Sequence, residues 1–91
     1  MCRSIRPLFN FDPPARDDDV RAAALQYVRK ISGYTAPSAA NKAAFDRAVS
    51  EVSAATRQLL DALQTSSPPK DRAAEIARAR ERAKARFVRI V

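Results

Sequence analysis

Phe45, Val49, Val52, Thr56, Leu59 and Leu63 recur at spacings of 4, 3, 4, 3 and 4, and Leu60 widens the stripe. This spacing keeps one side of a helix apolar along its whole length, and it predicts a helix over residues 39–64 with Ser38 as its N-cap. Upstream, Val20, Ala23, Ala24, Tyr27, Val28 and Ile31 share one face at helical spacing and predict a helix over 17–32. Asp17, Asp18 and Asp19 sit where acidic groups suit the positive end of that helix, and Gly33 falls where a left-handed C-terminal cap belongs. After "TSSPPKD", whose prolines cannot continue a helix, Ile76, Ala83, Phe87 and Ile90 trace a narrower apolar face and predict a third helix over 70–88. Arg80 and Lys84 interrupt that face, so a partner is expected to complete its burial, for instance a second copy in a homo-oligomer through this C-terminal helix.

Residues 1–16 have no helical period and contain Pro7, Pro13 and Pro14. They read as an extended N-terminal arm, with Leu8, Phe9 and Phe11 available to dock on a core. The pattern as a whole predicts an all-α, three-helix domain. Two antiparallel helices and a basic C-terminal helix occupy 17–91, behind the arm at 1–16.

Charge alters this picture more than composition does. The 91 residues carry a net charge of +7, and residues 70–91 hold eight basic against three acidic groups, +5 of that total. The chain has one cysteine and no histidine, which excludes an intramolecular disulfide, zinc-finger spacing and the Ser-His-Asp and Cys-His catalytic arrangements. A chain this size folds around one modest core rather than a large substrate cavity, so a binding protein is expected more than a stand-alone enzyme. No apolar run approaches a membrane span and no secretory signal precedes the first helix, so the chain is expected to be cytoplasmic, with no cofactor.

The segments "MCRSI", "LFNFDPPA", "RAAALQYVRKISGY" and "PSAANKAAFDRAV" occur in that order over residues 1–49, within a resemblance that covers roughly residues 1–70. In this the chain resembles a family of small bacterial proteins, domain-of-unknown-function family 2277, whose members open Met-Cys-Arg-Asn-Ile and continue Leu-Phe-Asn-Phe-Glu-Pro-Pro-Ala. Ser4 stands where the family has Asn, and Arg16 where it has Thr. Losing Thr removes a good N-cap, which assigns the cap to Asp17. The resemblance implies segment boundaries and no reaction. A chaperone J-domain is excluded, because its His-Pro-Asp loop is missing.

Two candidate sites stand out. Arg78, Arg82, Arg86 and Arg89 fall within an arc of about 80° on the third helix, opposite Ile76 and Phe87. Four guanidiniums in a row can track phosphates, which points to nucleic acid or a ribonucleoprotein; an acidic protein or membrane surface and a plain solvated face are the alternatives. The other candidate is Cys2. With Met1 removed, its thiol and α-amine would share one residue beside Arg3 and Arg6, the arrangement of an N-terminal nucleophile, a redox thiol or a metal ligand. An inert thiol is the competing reading. The aspartate run serves first-turn electrostatics better than metal binding, since adjacent carboxylates on a helix diverge. Tyr27 is expected in the core and Tyr34 as a clamp beyond the helix cap.

Overall fold

The computed structural model describes residues 5–90, with side chains up to residue 86. Helix α1 spans Asp17–Ser32, with three aspartates in its first turn and Arg29 and Lys30 in its last, each set facing the helix end of opposite partial charge. Arg16, not Asp17, holds the N-cap position. A guanidinium offers no acceptor to the first helical N–H groups. The cap is instead made from inside the helix, where Asp19 Oδ2 accepts the Arg16 N–H at 2.8 Å. Gly33 ends the helix at φ 79°, its N–H donating to the Arg29 carbonyl at 2.9 Å. That left-handed backbone is the one glycine takes without a Cβ penalty.

Beyond the cap, the Tyr34 hydroxyl accepts from Asn41 Nδ2 at 3.4 Å. Ala39–Asn41 wind as a 3₁₀ turn before helix α2, Lys42–Ala62. Ser38 heads that turn with its carbonyl, which accepts the Asn41 N–H at 3.0 Å, while its hydroxyl takes the Asn41 side-chain amide at 3.0 Å. The helical pattern therefore begins at Ala39 in the tighter winding common at helix starts. It stops at Ala62, because Leu63 turns to extended backbone at ψ 141°.

The two helices run antiparallel. Arg57, late in α2, reaches Asp17 at the start of α1 at 3.0 Å, while Val28, late in α1, clusters with Phe45 near the start of α2. Ala24, Val28, Phe45 and Val49 form the buried cluster, with Leu25, Ala48 and Val52 partly buried against it. Each fully buried Val or Phe contributes about 1.5–3 kcal/mol, so this core is small.

Several apolar positions depart from the expected stripe. Leu59 is 56% exposed and Leu63 42%, where both are expected to be buried. At 100° per residue Leu59 lies about 80° round the helix from Val49, the centre of the buried face, whereas Leu60 lies only about 20° away. A straight helix drifts off a strict 3.5-residue repeat, so the buried face passes from Val49 through Thr56 to Leu60. Leu63 lies past the helix end. Ile31 is 70% exposed, because one turn beyond Val28 the opposing chain has already left α2 for the 3₁₀ turn. Tyr27, expected in the core, is 47% exposed.

Chain contacts divide the molecule into two units. The first joins Ala15–Gln64 to the arm up to Phe9, and the second joins Asn10–Pro14 to the chain from Thr65 onward. Asn10 builds the second unit from a left-handed backbone at φ 64°, a conformation Asn tolerates better than most residues. Its side-chain amide donates to the carbonyls of Ser67 at 3.4 Å and Pro68 at 3.2 Å, and its own carbonyl accepts the Lys70 N–H at 2.9 Å. Two short parallel strands follow, β1 (Phe11–Asp12) and β2 (Lys70–Asp71), with the Lys70 ammonium 5.7 Å from the Phe11 ring centroid. This pairing takes the two residues with which the third helix was expected to begin. Helix α3 accordingly spans Arg72–Ile90, and Asp71 Oδ1 caps it by accepting the Ala74 N–H at 2.9 Å.

Candidate functional site

Alanine, arginine, glutamate and lysine fill α3, and all are strong helix formers, so this element forms largely on local propensity. Arg78, Arg82 and Arg86 recur every fourth residue, which places successive guanidiniums about 6 Å apart along the axis and within an arc of about 80°. All three side chains are exposed, as are Arg80 and Lys84 on the other flank. Arg89 continues the row in sequence, and its side chain lies outside the described residues.

Acidic groups interrupt the row at its N-terminal end. Glu75 pairs with Arg78 one turn on, and this hydrogen bond holds the Glu75 carboxyl below the usual carboxylate range, against the opposing effect of burial. Glu75 is thus an ionised competitor for Arg78 at neutral pH. Asp71, on the same side in a continuous helix, is taken up in the cap. Arg82 and Arg86 lie one and two turns beyond the Glu75–Arg78 pair.

Cys2, with neighbouring Arg3, lies outside the described residues. The aspartate run is engaged in the first unit, Asp17 with Arg57 and Asp19 with the Arg16 N–H. Among the described residues no group of three or more carboxylate or thiol side chains is placed to hold a metal ion. No helix there is long and apolar enough to cross a membrane.

Two features escape a reading of the sequence. The first is Arg57, whose guanidinium donates to the Ala15 carbonyl at 3.3 Å and meets Asp17 at 3.0 Å and Asp61 at 3.6 Å. The i,i+4 spacing of Arg57 and Asp61 is visible in the sequence, whereas the contacts to Ala15 and Asp17 require the antiparallel helix pair. The second is an open groove of about 270 Å³ between the arm and the helix pair, lined mainly by Ile5, Leu8, Ala23, Tyr27, Val52 and Leu60. Its walls are apolar apart from the exposed Arg6, the Tyr27 hydroxyl and Thr56, and the Thr56 hydroxyl is already bonded to the Val52 carbonyl. Such a lining suits side chains more than phosphates, which sets it apart from the α3 row.

A family model described as an uncharacterized conserved protein (DUF2277) matches residues 1–78. No curated protein and no solved structure matches the chain.

Proposed function

The chain belongs to the uncharacterized conserved protein family DUF2277, and we propose that it is a small basic binding protein that associates with a polyanion through α3. The observation that carries this reading is the exposed row Arg78, Arg82 and Arg86, set at about 6 Å intervals on a helix formed by its own propensities. Arginine suits phosphate because its planar fork donates two hydrogen bonds to one group, and the charge needs no burial to act. Nucleic acid or a ribonucleoprotein is the partner class. The binding would be insensitive to sequence, since phosphate contacts carry no base information.

Salt dependence tests this reading. If Arg78, Arg82, Arg86 and Arg89 each neutralise one phosphate, log K against log salt has a slope of about −2.8 on single strands and about −3.6 on duplex DNA. Arg82→Gln or Arg86→Gln each shallows the slope by about 0.7 on single strands or about 0.9 on duplex. The helix content is unchanged, because Gln and Arg have similar helix propensity. A slope unaffected by both substitutions would remove α3 as the contact surface.

A further inference from the structure

Helix α3 carries cations on two flanks, not one. At about 100° per residue, the row Arg78, Arg82 and Arg86 centres about 180° round the helix from Arg80 and Lys84. Arg80 and Lys84 are exposed, and neither forms an ion pair among the described residues. The two sides between the flanks differ. Ile76 and Ala79 lie on one and are half-buried, whereas Ala77, Glu81 and Ala85 lie on the other and are exposed. The open side is a low ridge, mainly of alanine, with a bank of cations on either hand.

The placement of these charges indicates the shape of the polyanion. A single strand laid along a helix brings phosphates to one flank, and cations on the far flank gain little from it. Phosphates on both flanks at once require a groove with a strand on each wall. The major groove of B-form DNA is about 12 Å wide, close to the diameter of about 10–12 Å of a helix with its side chains. Alanines on the open side let the backbone approach the floor of such a groove. The major groove of an A-form RNA duplex is deep and narrow, and does not receive a helix in this way.

We propose that α3 enters the major groove of duplex DNA, with Arg78, Arg82 and Arg86 on the phosphates of one strand and Arg80 and Lys84 on those of the other. This rests on the assignment of polyanion binding to α3 and narrows the partner from nucleic acid in general to the DNA duplex. Glu81 faces the floor, where the amino groups of cytosine and adenine are the donors open to a carboxylate. The alanines beside it offer no side-chain hydrogen bonds, so the two banks of phosphates carry the binding.

Salt titrations of the full chain by fluorescence anisotropy, on a DNA duplex, on one of its single strands and on an RNA duplex of the same sequence, test this. With Arg80 and Lys84 added to the four arginines of the row, the slope of log K against log salt is about −5.4 on duplex DNA and stays about −2.8 on the single strand. Arg80→Gln with Lys84→Gln shallows the duplex DNA slope by about 1.8 and leaves the single-strand and RNA slopes unchanged. Gln keeps the helix propensity, which circular dichroism verifies. Arg21→Gln with Lys30→Gln, the same loss of charge from exposed positions on α1, changes none of the slopes. An unchanged duplex DNA slope in the Arg80, Lys84 variant, or equal shallowing on the single strand or the RNA duplex, would overturn the groove while leaving the row in place. If Arg82→Gln and Arg86→Gln also left every slope unchanged, α3 itself would be removed as the contact surface.

Discussion

Val49→Ala and Ile31→Ala remove apolar atoms from positions that the sequence pattern places on equally apolar faces. Their burial differs widely, since Val49 is 2% exposed and Ile31 70%. Val49 sits at the centre of α2's buried face, touching the cluster of Ala24, Val28 and Phe45. Truncation there removes two methyl equivalents at about 0.8 kcal/mol each and leaves a gap that the helix backbones prevent from closing, for a total of about 2–3 kcal/mol. Each kcal/mol shifts the midpoint of a domain this size by about 4–8 °C, so the melting temperature falls by roughly 8–24 °C. Ile31→Ala deletes more atoms but exposes little new surface, and its cost stays within about 0.5 kcal/mol. Urea titration followed by far-UV circular dichroism, at one fixed protein concentration, measures both. Equal costs for the two substitutions, or less than about 1 kcal/mol for Val49→Ala, would refute the placement of the core.

Arg57→Ala should cost about 1.5–3 kcal/mol, from loss of the charge-assisted bond to the Ala15 carbonyl and of packing by the half-buried stem. A double-mutant cycle with Asp17→Ala should assign no more than about 1 kcal/mol of that to the Arg57–Asp17 pair, because the Asp17 side chain is 95% exposed. Glu75→Gln should release Arg78 and tighten nucleic-acid binding at a fixed salt concentration, read by fluorescence anisotropy; unchanged or weaker binding would count against a competing carboxylate. Because the folded pKa of Glu75 is depressed, its contribution to stability is present above the ordinary carboxylate range and disappears as pH falls through the lowered folded value. Wild type and Glu75→Gln should therefore differ in urea midpoint at neutral pH and converge in acid.

The elements governed by nearest-neighbour chemistry are the ones legible in the sequence. The aspartates at the start of α1, Gly33 at its end and the apolar spacing through Phe45 and Val49 each act within a turn or two of helix, and each sits as its residue type requires. Leu59 and Ile31 are misread by periodicity alone for different reasons. Leu59 depends on which way a slightly drifting stripe turns along α2, and Ile31 on where the opposing chain stops being helical. The start of α3 is missed because Asn10, some sixty residues upstream in the chain, holds Lys70 in a strand pairing. That contact has no local signature. Of the candidate site, the spacing of Arg78, Arg82 and Arg86 is plain in the sequence, as is the Glu75–Arg78 pair. The extended contacts of Arg57 come only from the antiparallel arrangement of α1 and α2.

Association with a polyanion through α3 is tested most directly by moving the charge without changing it. Arg78, Arg82, Arg86 and Arg89 are replaced by Gln, and four arginines are introduced at Ala22, Ser32, Ala43 and Gln58, exposed positions scattered over the first two helices. Net charge and size stay nearly constant, and circular dichroism checks that both proteins fold. Affinity for a single-stranded oligonucleotide is then measured by fluorescence anisotropy across a salt series. The wild type should bind more tightly at physiological salt, with a slope near −2.8, and the rearranged protein more weakly with a shallower slope. Equal affinity and equal slope in the two proteins would show that net charge alone accounts for the binding and would contradict the assignment to α3.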